Sequence, residues 1–362
     1  MESREGPLES LVMTSAFWNG KRVLLTGHTG FKGAWLSLYL QLLGAKVTGL
    51  ALAPDQNPNL FEVAGADTGM RSIIGDIRDL PAVERAVAET EPDIVIHMAA
   101  QALVRRGYRE PVETYATNVL GTVHVLDAVR RLSKARACLV VTSDKCYENR
   151  EWIWPYRENE PMGGRDPYSN SKGCAELVVS AYRASYFAQA GMGLASARAG
   201  NVIGGGDWSE DRLVPDLIRG FIDQKPTMIR QPNAVRPWQH VLEAIHGYLT
   251  LAERLWHDPV AFADGWNFGP GDAGAVPVHI IADSLVAKWG DGAMWTRDSE
   301  AGVHEAHLLK LDSTKARTLL RWQPKLGIEE ALDWIVRWHR AHSERGNMRE
   351  FTLHQIERYL TL

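Results

Sequence analysis

One stretch limits the fold more than any other. An apolar run, Lys21-Arg22-Val23-Leu24-Leu25-Thr26, passes without a spacer into Gly27-His28-Thr29-Gly30-Phe31-Lys32-Gly33, and that turn passes into a helix-like pattern from Ala34 to Leu43. Glycines spaced three apart between a strand and a helix let the backbone approach a pyrophosphate, whose charge the helix N-terminus favours. A second strand, Lys46 to Leu52, follows. Glycines alone mark any tight turn, but strand, glycine turn, helix and strand in this order indicate a dinucleotide site. Its expected cradle is Gly27, Thr29, Gly30, Phe31, Lys32 and Gly33. The spacing is G-x-x-G-x-x-G, not the G-x-G-x-x-G of many dehydrogenases, and points to one branch of the dinucleotide-binding enzymes.

The second strand ends Ala51-Leu52-Ala53-Pro54 before Asp55, so the acid expected to hold a ribose comes late. No arginine lies in this stretch to receive a 2′-phosphate, which favours NAD over NADP. A third strand, starting at Arg71, runs into Asp76, Ile77 and Asp79, beside the expected adenine. Asp76 can accept from the adenine amino group; a turn at Asp76 and a helix cap at Asp79 explain the same acids equally well. A fourth strand from Asp93 leads to Ala99-Ala100-Gln101, small residues that let backbone lie against a flat cofactor, with His97 expected to fill a polar niche. A helix over Val112 to Leu132 contains Asn118 and Gly121, both locally unfavourable there. Asn118 is therefore expected to bond buried backbone or water.

A fifth strand, Ala137 to Thr142, delivers Ser143, Asp144 and Lys145 at its end, where open α/β sheets place their active sites. After a loop rich in proline, tryptophan and glycine comes Tyr168-Ser169-Asn170-Ser171-Lys172, whose tyrosine and lysine share a face of the helix running to Ala188. A sixth strand covers Gly193 to Arg198. Strands and helices alternating in this way predict a doubly wound parallel sheet of Rossmann type with a smaller, mixed C-terminal lobe. The expected organisation is a flexible extension over 1–19, a cofactor domain over 20–200 with a return segment at 238–270, and a substrate lobe from 201–237 and 271–345.

Composition excludes several classes of function. With a net charge of −4 the chain is no polybasic nucleic-acid binder. Its cysteines, Cys138, Cys146 and Cys174, are sparse and odd in number, which argues against a disulfide framework. No run approaches the ~18 apolar residues of a membrane span, and the N-terminus does not resemble a secretory signal. A cytoplasmic protein without nucleic-acid or membrane partners is expected. His304 and His307 lack a third ligand at recognisable spacing, so no metal is expected.

Taken together, Thr26-Gly27-x-x-Gly30-Phe31-x-Gly33, Ala99-Ala100-Gln101, Asn118 with Gly121-Thr122, Tyr168-x-x-x-Lys172 and Arg198-x-x-Asn201 resemble the extended short-chain dehydrogenase/reductase family. Within it the likeness is to nucleotide-sugar 4,6-dehydratases. Those enzymes carry Thr-Asp-Glu after the fifth strand, where this chain has Ser143-Asp144-Lys145. That lysine, with Cys146-Tyr147, Arg236 to Val241 and His304 to Asp312, makes the chain similar to the branch acting on CDP-glucose. The CDP base is implied by the resemblance alone.

The resemblance implies NAD as cofactor, oxidation at C4, elimination across C5–C6 and hydride return to C6. Tyr168 would take the 4-hydroxyl proton; an unperturbed tyrosine pKa of ~10 means it needs help, which Lys172 and the nicotinamide charge would give. Both residues count among the expected cofactor contacts. Ser143 would bridge Tyr168 and the sugar, Asp144 would be the acid at C6 and Lys145 the base at C5. A bridging Ser143 competes with one that satisfies strand-end backbone, and a catalytic Asp144–Lys145 with a simple ion pair. Asn201, Arg236, Trp208 and His307 are the expected substrate contacts, Arg236 offering a fork to the pyrophosphate. For Trp208 and Trp238, core packing is as good a reading as stacking on a base. A homodimer through the helices near 112–132 and 168–188 is also implied. A 4-epimerase is the nearest rival, and needs no acid and base at C5 and C6. A non-catalytic NAD-binding regulator would be expected to lack Tyr168 or Lys172.

Overall fold

The computed structural model describes residues 15–271, 274–298 and 308–362. Its strands in chain order are β1 (Arg22–Thr26), β2 (Lys46–Ala51), β3 (Arg71–Ile74), β4 (Ile94–His97), β5 (Ala137–Val141), β6 (Gly193–Ala199), β7 (Asn201–Ile203), β8 (Thr227–Ile229), β9 (Val235–His240), β10 (Gly265–Phe268), β11 (Ala275–Pro277) and β12 (Trp295–Arg297). Seven of them form the main sheet, in the order β10-β6-β5-β4-β1-β2-β3. Every pairing in it is parallel. The chain winds outward from β1 to β3 and then resumes at β4 on the other side of β1. This reversal opens a crevice at the C-terminal ends of β1 and β4.

Both faces of the sheet are buried, as parallel sheets require. Along β1, Val23 and Leu25 enter the core that holds the Phe31–Leu42 and Val241–His257 helices, while Leu24 enters the opposite core with Val83, Val125 and Val179. β4 divides in the same way, Ile94 and Ile96 against Val95. The two-residue period of a strand thus feeds two helical layers.

The helix expected over 112–132 is interrupted. Pro111–Tyr115 and Gly121–Val129 are α-helical, and between them Ala116–Leu120 is π-helical and contains Asn118. Such bulges often mark functional sites. β10 returns to the main sheet beside β6, in line with the expected return strand. β9 is a strand through its pairing with β7 and β11. Around it, the Leu213–Ile222, Val278–Trp289 and Ile328–Ser343 helices share a separate core with Leu217, Ile281 and Ile335.

The expectation for the N-terminal end needs correction. The flexible extension does not reach residue 19: Ser15–Trp18 is helical, and Trp18 is fully buried with Phe17 edge-on to it. At the other end, a Met348–Thr361 helix inserts Ile356 and Tyr359 into the core beneath the Phe31–Leu42 helix. Among the described residues no helix is long and apolar enough to cross a membrane.

Candidate active site

The crevice at the β1–β4 reversal is a cleft of about 310 Å³ lined by Gly27, Thr29, Gly30, Phe31, Lys32 and Gly33, with Asp76 and Ile77 along one side and Ala99, Ala100 and Gln101 along another. Gly27 has φ +79°, and a Cβ there would lie 2.7 Å from the Ala99 nitrogen; one at Gly33 would lie 2.0 Å from the Gly27 oxygen. A side chain at either place would collide with neighbouring backbone, so the tight turn requires glycine there. Thr29 anchors the loop, its hydroxyl donating to Leu52 O at 2.8 Å. His28 turns beneath the sheet, where its Nε2 meets Ser72 Oγ at 2.7 Å and burial pushes its pKa down to about 4.

A buried polar chain fixes the floor of the cleft. His97 Nδ1 lies 2.7 Å from Thr26 Oγ1 and Nε2 lies 3.1 Å from Thr122 Oγ1. Thr122 donates to Asn118 O, so it accepts from His97 Nε2–H, and Thr26 donates to Nδ1 while accepting from Met98 and Ala99 amides. His97 is a satisfied sheet histidine held neutral by burial. Asn118 stands behind the cleft: Oδ1 accepts from Gln101 N at 2.8 Å, and Nδ2 donates to Gln101 O at 3.0 Å and Ser171 Oγ at 2.8 Å. Its unfavourable place in a helix is thereby explained.

Asp76 lines the cleft, but its carboxylate is engaged by Arg78, at 2.8 Å from both the backbone N and Nε. Asp79 starts the next helix without a side-chain capping bond, so the capping alternative for it fails. Asp55 reaches the cleft edge and faces Arg106 at 3.6 Å. That arginine comes from a distant helix, which no reading of the second strand's end could show; Glu110 holds it at 2.8 Å. Arg105 and Arg109 bridge to Asp211 and Glu210 of the loop across the cleft, the second pair at an exposed position.

At the end of β5, Ser143 caps a short turn over Asp144–Cys146. Its hydroxyl accepts from Lys145 N at 3.3 Å and donates to Asp144 Oδ1 at 3.0 Å. Opposite stands the Pro167–Tyr182 helix, started by a proline in its first turn and by Asp166, whose carboxylate accepts from Ser169 N at 2.9 Å. This helix places Tyr168 near Ser143, whose hydroxyl opposes the rise in the phenol's pKa, with Lys172 one turn further on. Burial pushes Tyr168 up to about 12, against the Ser143 hydrogen bond and the Arg212 charge. Burial likewise lowers Lys172 to about 8, opposed by Glu176.

Asp144 is the most unusual group. Burial raises its pKa in spite of Lys145, Ser143 and Arg236, and its Oδ2 is buried without a hydrogen-bond partner. A Cβ on Gly200 would come within 3.1 Å of that oxygen. Lys145 is half-buried and lines a smaller cavity of about 60 Å³ with Tyr108, Tyr147 and Ser169.

The remaining expected contacts divide. Arg236 is buried in β9 within electrostatic reach of Asp144. Asn201 opens β7 in register with Trp238. Trp208 both lines the cleft and packs edge-on against Trp338 and His339, whereas Trp238 is a core residue whose Nε1 donates to Val276 O at 3.1 Å. Arg198 is structural, donating to Glu176 Oε2 and the Tyr147 hydroxyl, each at 2.7 Å. His304 and His307 lie outside the described residues, among which no group of three ligands is placed to hold a metal. Sequence reasoning missed Arg212 and Tyr248. Tyr248 is fully buried, its hydroxyl has no hydrogen-bond partner, and it is coupled electrostatically to both Asp144 and Tyr168.

A parallel sheet reversing over a glycine turn, with Ser143, Tyr168 and Lys172 gathered at its C-terminal edge, defines a Rossmann-type protein of the short-chain dehydrogenase/reductase class. Residues 24–334 match the family described as GDP-mannose 4,6 dehydratase, and the chain belongs to that family. It is 53% identical over 95% of its length to the CDP-glucose 4,6-dehydratase of Salmonella typhimurium, 98% of which is covered. It is 28% identical to the dTDP-glucose 4,6-dehydratase of Streptomyces griseus, over 88% of this chain and 94% of that one. Among solved structures, the dTDP-glucose 4,6-dehydratase of Streptomyces venezuelae with NAD bound superposes with a TM-score of 0.77 at 22% identity, covering 90% of this chain and 98% of that one. An epimerase of Methanothermobacter thermautotrophicus gives 0.80 at 22% identity, over 95% and 99%. At such identities these two establish the fold alone.

Proposed function

We propose that this enzyme is a CDP-D-glucose 4,6-dehydratase, converting CDP-D-glucose to CDP-4-keto-6-deoxy-D-glucose and water. The 53% identity to an enzyme of that name supports the substrate, as does the Ser143-Asp144-Lys145 sequence after β5. NAD fits the cleft, because Gly27 and Gly33, where a side chain would collide with neighbouring backbone, let the turn close tightly and line it with backbone. The glycine loop with Thr29 would hold its pyrophosphate, Asp76 and Ile77 its adenine end, and Ala99 to Gln101 its flat ring. NAD supplies a hydride acceptor for C4 and a donor for C6.

The chain's own residues move the protons. Tyr168, with Lys172 one turn away, takes the proton of the 4-hydroxyl. Lys145 takes the C5 proton, made acidic by the neighbouring ketone, and returns it. Asp144 protonates the departing C6 oxygen, while Asn201, Arg236, Trp208 and His307 hold the nucleotide sugar. One observation carries this reading: a carboxyl whose pKa burial has raised, with one oxygen unpartnered, stands beside the tyrosine. A raised carboxyl is a readier proton carrier than an ordinary one. A 4-epimerase has no use for it.

The cofactor domain comprises 20–200 with the return segment 238–270, and the substrate lobe 201–237 and 271–345. The protein works in the cytoplasm as a homodimer. Val112, Tyr115 and Leu120 on one helical segment and Leu177 and Tyr186 on the other are exposed, which suits an apolar contact between those two elements and their copies. To test the function, purified protein is incubated with CDP-, dTDP-, UDP- and GDP-sugars and assayed for the alkali-absorbing 4-keto-6-deoxy product. Turnover of CDP-glucose is expected. Product from dTDP-glucose alone would refute the base, and no product from any sugar would refute dehydration.

A further inference from the structure

The proton balance of the proposed dehydration, on which this inference rests, exposes an unassigned step. The overall reaction releases water and no net proton. In one turnover Tyr168 gains the proton of the 4-hydroxyl, Asp144 loses one to the C6 oxygen, and Lys145 gains the C5 proton and gives it back. The hydride removed at C4 is restored at C6, so nothing is oxidised overall. When product leaves, Tyr168 carries one proton too many and Asp144 one too few. The next turnover needs a phenolate and a carboxylic acid, so the same proton has to travel from one residue to the other.

We propose that the Ser143 hydroxyl carries it, as a relay from Tyr168 to Asp144 between turnovers. Ser143 donates to Asp144 Oδ1 at 3.0 Å and stands near enough to the Tyr168 phenol to act on it. A hydroxyl with one hydrogen and two lone pairs accepts from the phenol while donating to the carboxylate. In the transfer the Tyr168 O–H bond breaks as a new O–H forms on Ser143, and the original Ser143 O–H breaks as Asp144 Oδ1 gains its proton. A half-turn about the Asp144 Cβ–Cγ bond then presents the protonated oxygen where the unpartnered Oδ2 had been.

Burial makes a direct exchange with bulk water a poor substitute. Ser143 and Tyr168 are each 7% exposed and Asp144 is 2% exposed. The backbone of Lys145, donating to Ser143 Oγ at 3.3 Å, holds the hydroxyl between its neighbours. The raised pKa of Asp144 works in the same direction, bringing its proton affinity closer to that of the phenol. Ser143 therefore links the redox half of the site to the elimination half, in addition to any contact with the sugar.

The test compares the first turnover with those that follow. Ser143→Ala, mixed rapidly with CDP-glucose, is expected to form about one product per active site and then to turn over about a hundredfold more slowly than that first event, a factor of the size of one acid–base contribution. Formate, as a small diffusible acid, is expected to restore the later turnovers and leave the first unchanged. Ser143→Thr, which keeps the hydroxyl, is expected to show no burst, its later turnovers running at the rate of its first; it also controls for folding. The relay is overturned if Ser143→Ala slows first and later turnovers equally and formate has no effect, because Ser143 would then act only on oxidation. It is equally overturned if Ser143→Thr shows the same burst as the alanine variant. Failure of the dehydration reading has a different signature, namely wild-type enzyme that makes no product.

Discussion

The Pro167–Tyr182 helix carries Tyr168, Lys172 and Glu176 at four-residue intervals along one side, and the two ends of that stripe treat buried charge in opposite ways. Glu176 has every oxygen satisfied: Thr142 donates to one, and Ser196 and Arg198, each at 2.7 Å, to the other. Arg198 in turn holds Tyr147, whose hydroxyl donates to Asn267 Oδ1 at 2.7 Å, so the network joins β6, β10 and the loop after β5. Around Tyr168 the satisfaction stops. Asp144 Oδ2 and the Tyr248 hydroxyl are buried without partners. The fully paired Glu176 carboxylate fixes the fold, even though Arg198 leaves its Nε without a partner; the incompletely paired Asp144 carboxylate near Tyr168 is kept for chemistry.

That contrast is broken or sharpened by substitutions at each end. The largest effect is expected from Lys145→Ala on the reactive side: product formation falls by about 10²–10⁴-fold while reduction of bound NAD on mixing with substrate persists. Exchange of the C5 proton with solvent, followed by NMR in heavy water, checks it; exchange at the normal rate would mean that Lys145 is not the base. On the structural side, Arg198→Ala leaves Glu176 buried and unpaired and is expected to cost about 3–5 kcal/mol of stability, read from denaturant unfolding.

The smallest effect is in pH linkage. Burial lowers Lys172 to about 8, below its ordinary value of 10.5, so the unfolded chain binds more protons between those values and stability rises with pH there. At neutral pH its charge is a cost, and Lys172→Met is expected to be more stable than wild type at pH ~7, with the gain shrinking as pH rises through that window. Glu176 is the reverse case. Burial pushes its pKa up, but Arg198 and the hydroxyls bring the net value below 4.5, so its stabilisation is complete above that pH and is lost as pH falls through the folded value. Paired thermal unfolding curves of Lys172→Met and Glu176→Gln against pH separate the two.

How much of this was legible in the sequence follows the range of the interactions. The glycine turn and the Tyr168–Lys172 spacing are local, and local chemistry places them. Asn118 was legible for the opposite reason: a residue unsuited to its helix announced an outside partner, which proved to be Gln101 and Ser171. The approach of Arg106 to Asp55, the pairing that makes β9 a strand, the burial of Trp18 and the position of Tyr248 all depend on distant segments meeting. Two features missed did carry signals. Glu176 continues the four-residue stripe of Tyr168 and Lys172, and Asn347 followed by Glu350 announces the C-terminal helix, which it caps at 3.3 Å.

The claim that unpaired burial marks chemistry and paired burial marks structure is tested most directly by Asp144→Asn, measured for stability and for the fate of bound cofactor in one preparation. The account predicts wild-type stability or better, because an amide removes a buried ionisable group whose second oxygen has no partner, together with loss of product and build-up of NADH absorbance when CDP-glucose is added. A variant that unfolds as readily as Arg198→Ala, or that continues to form product at the wild-type rate, would contradict it.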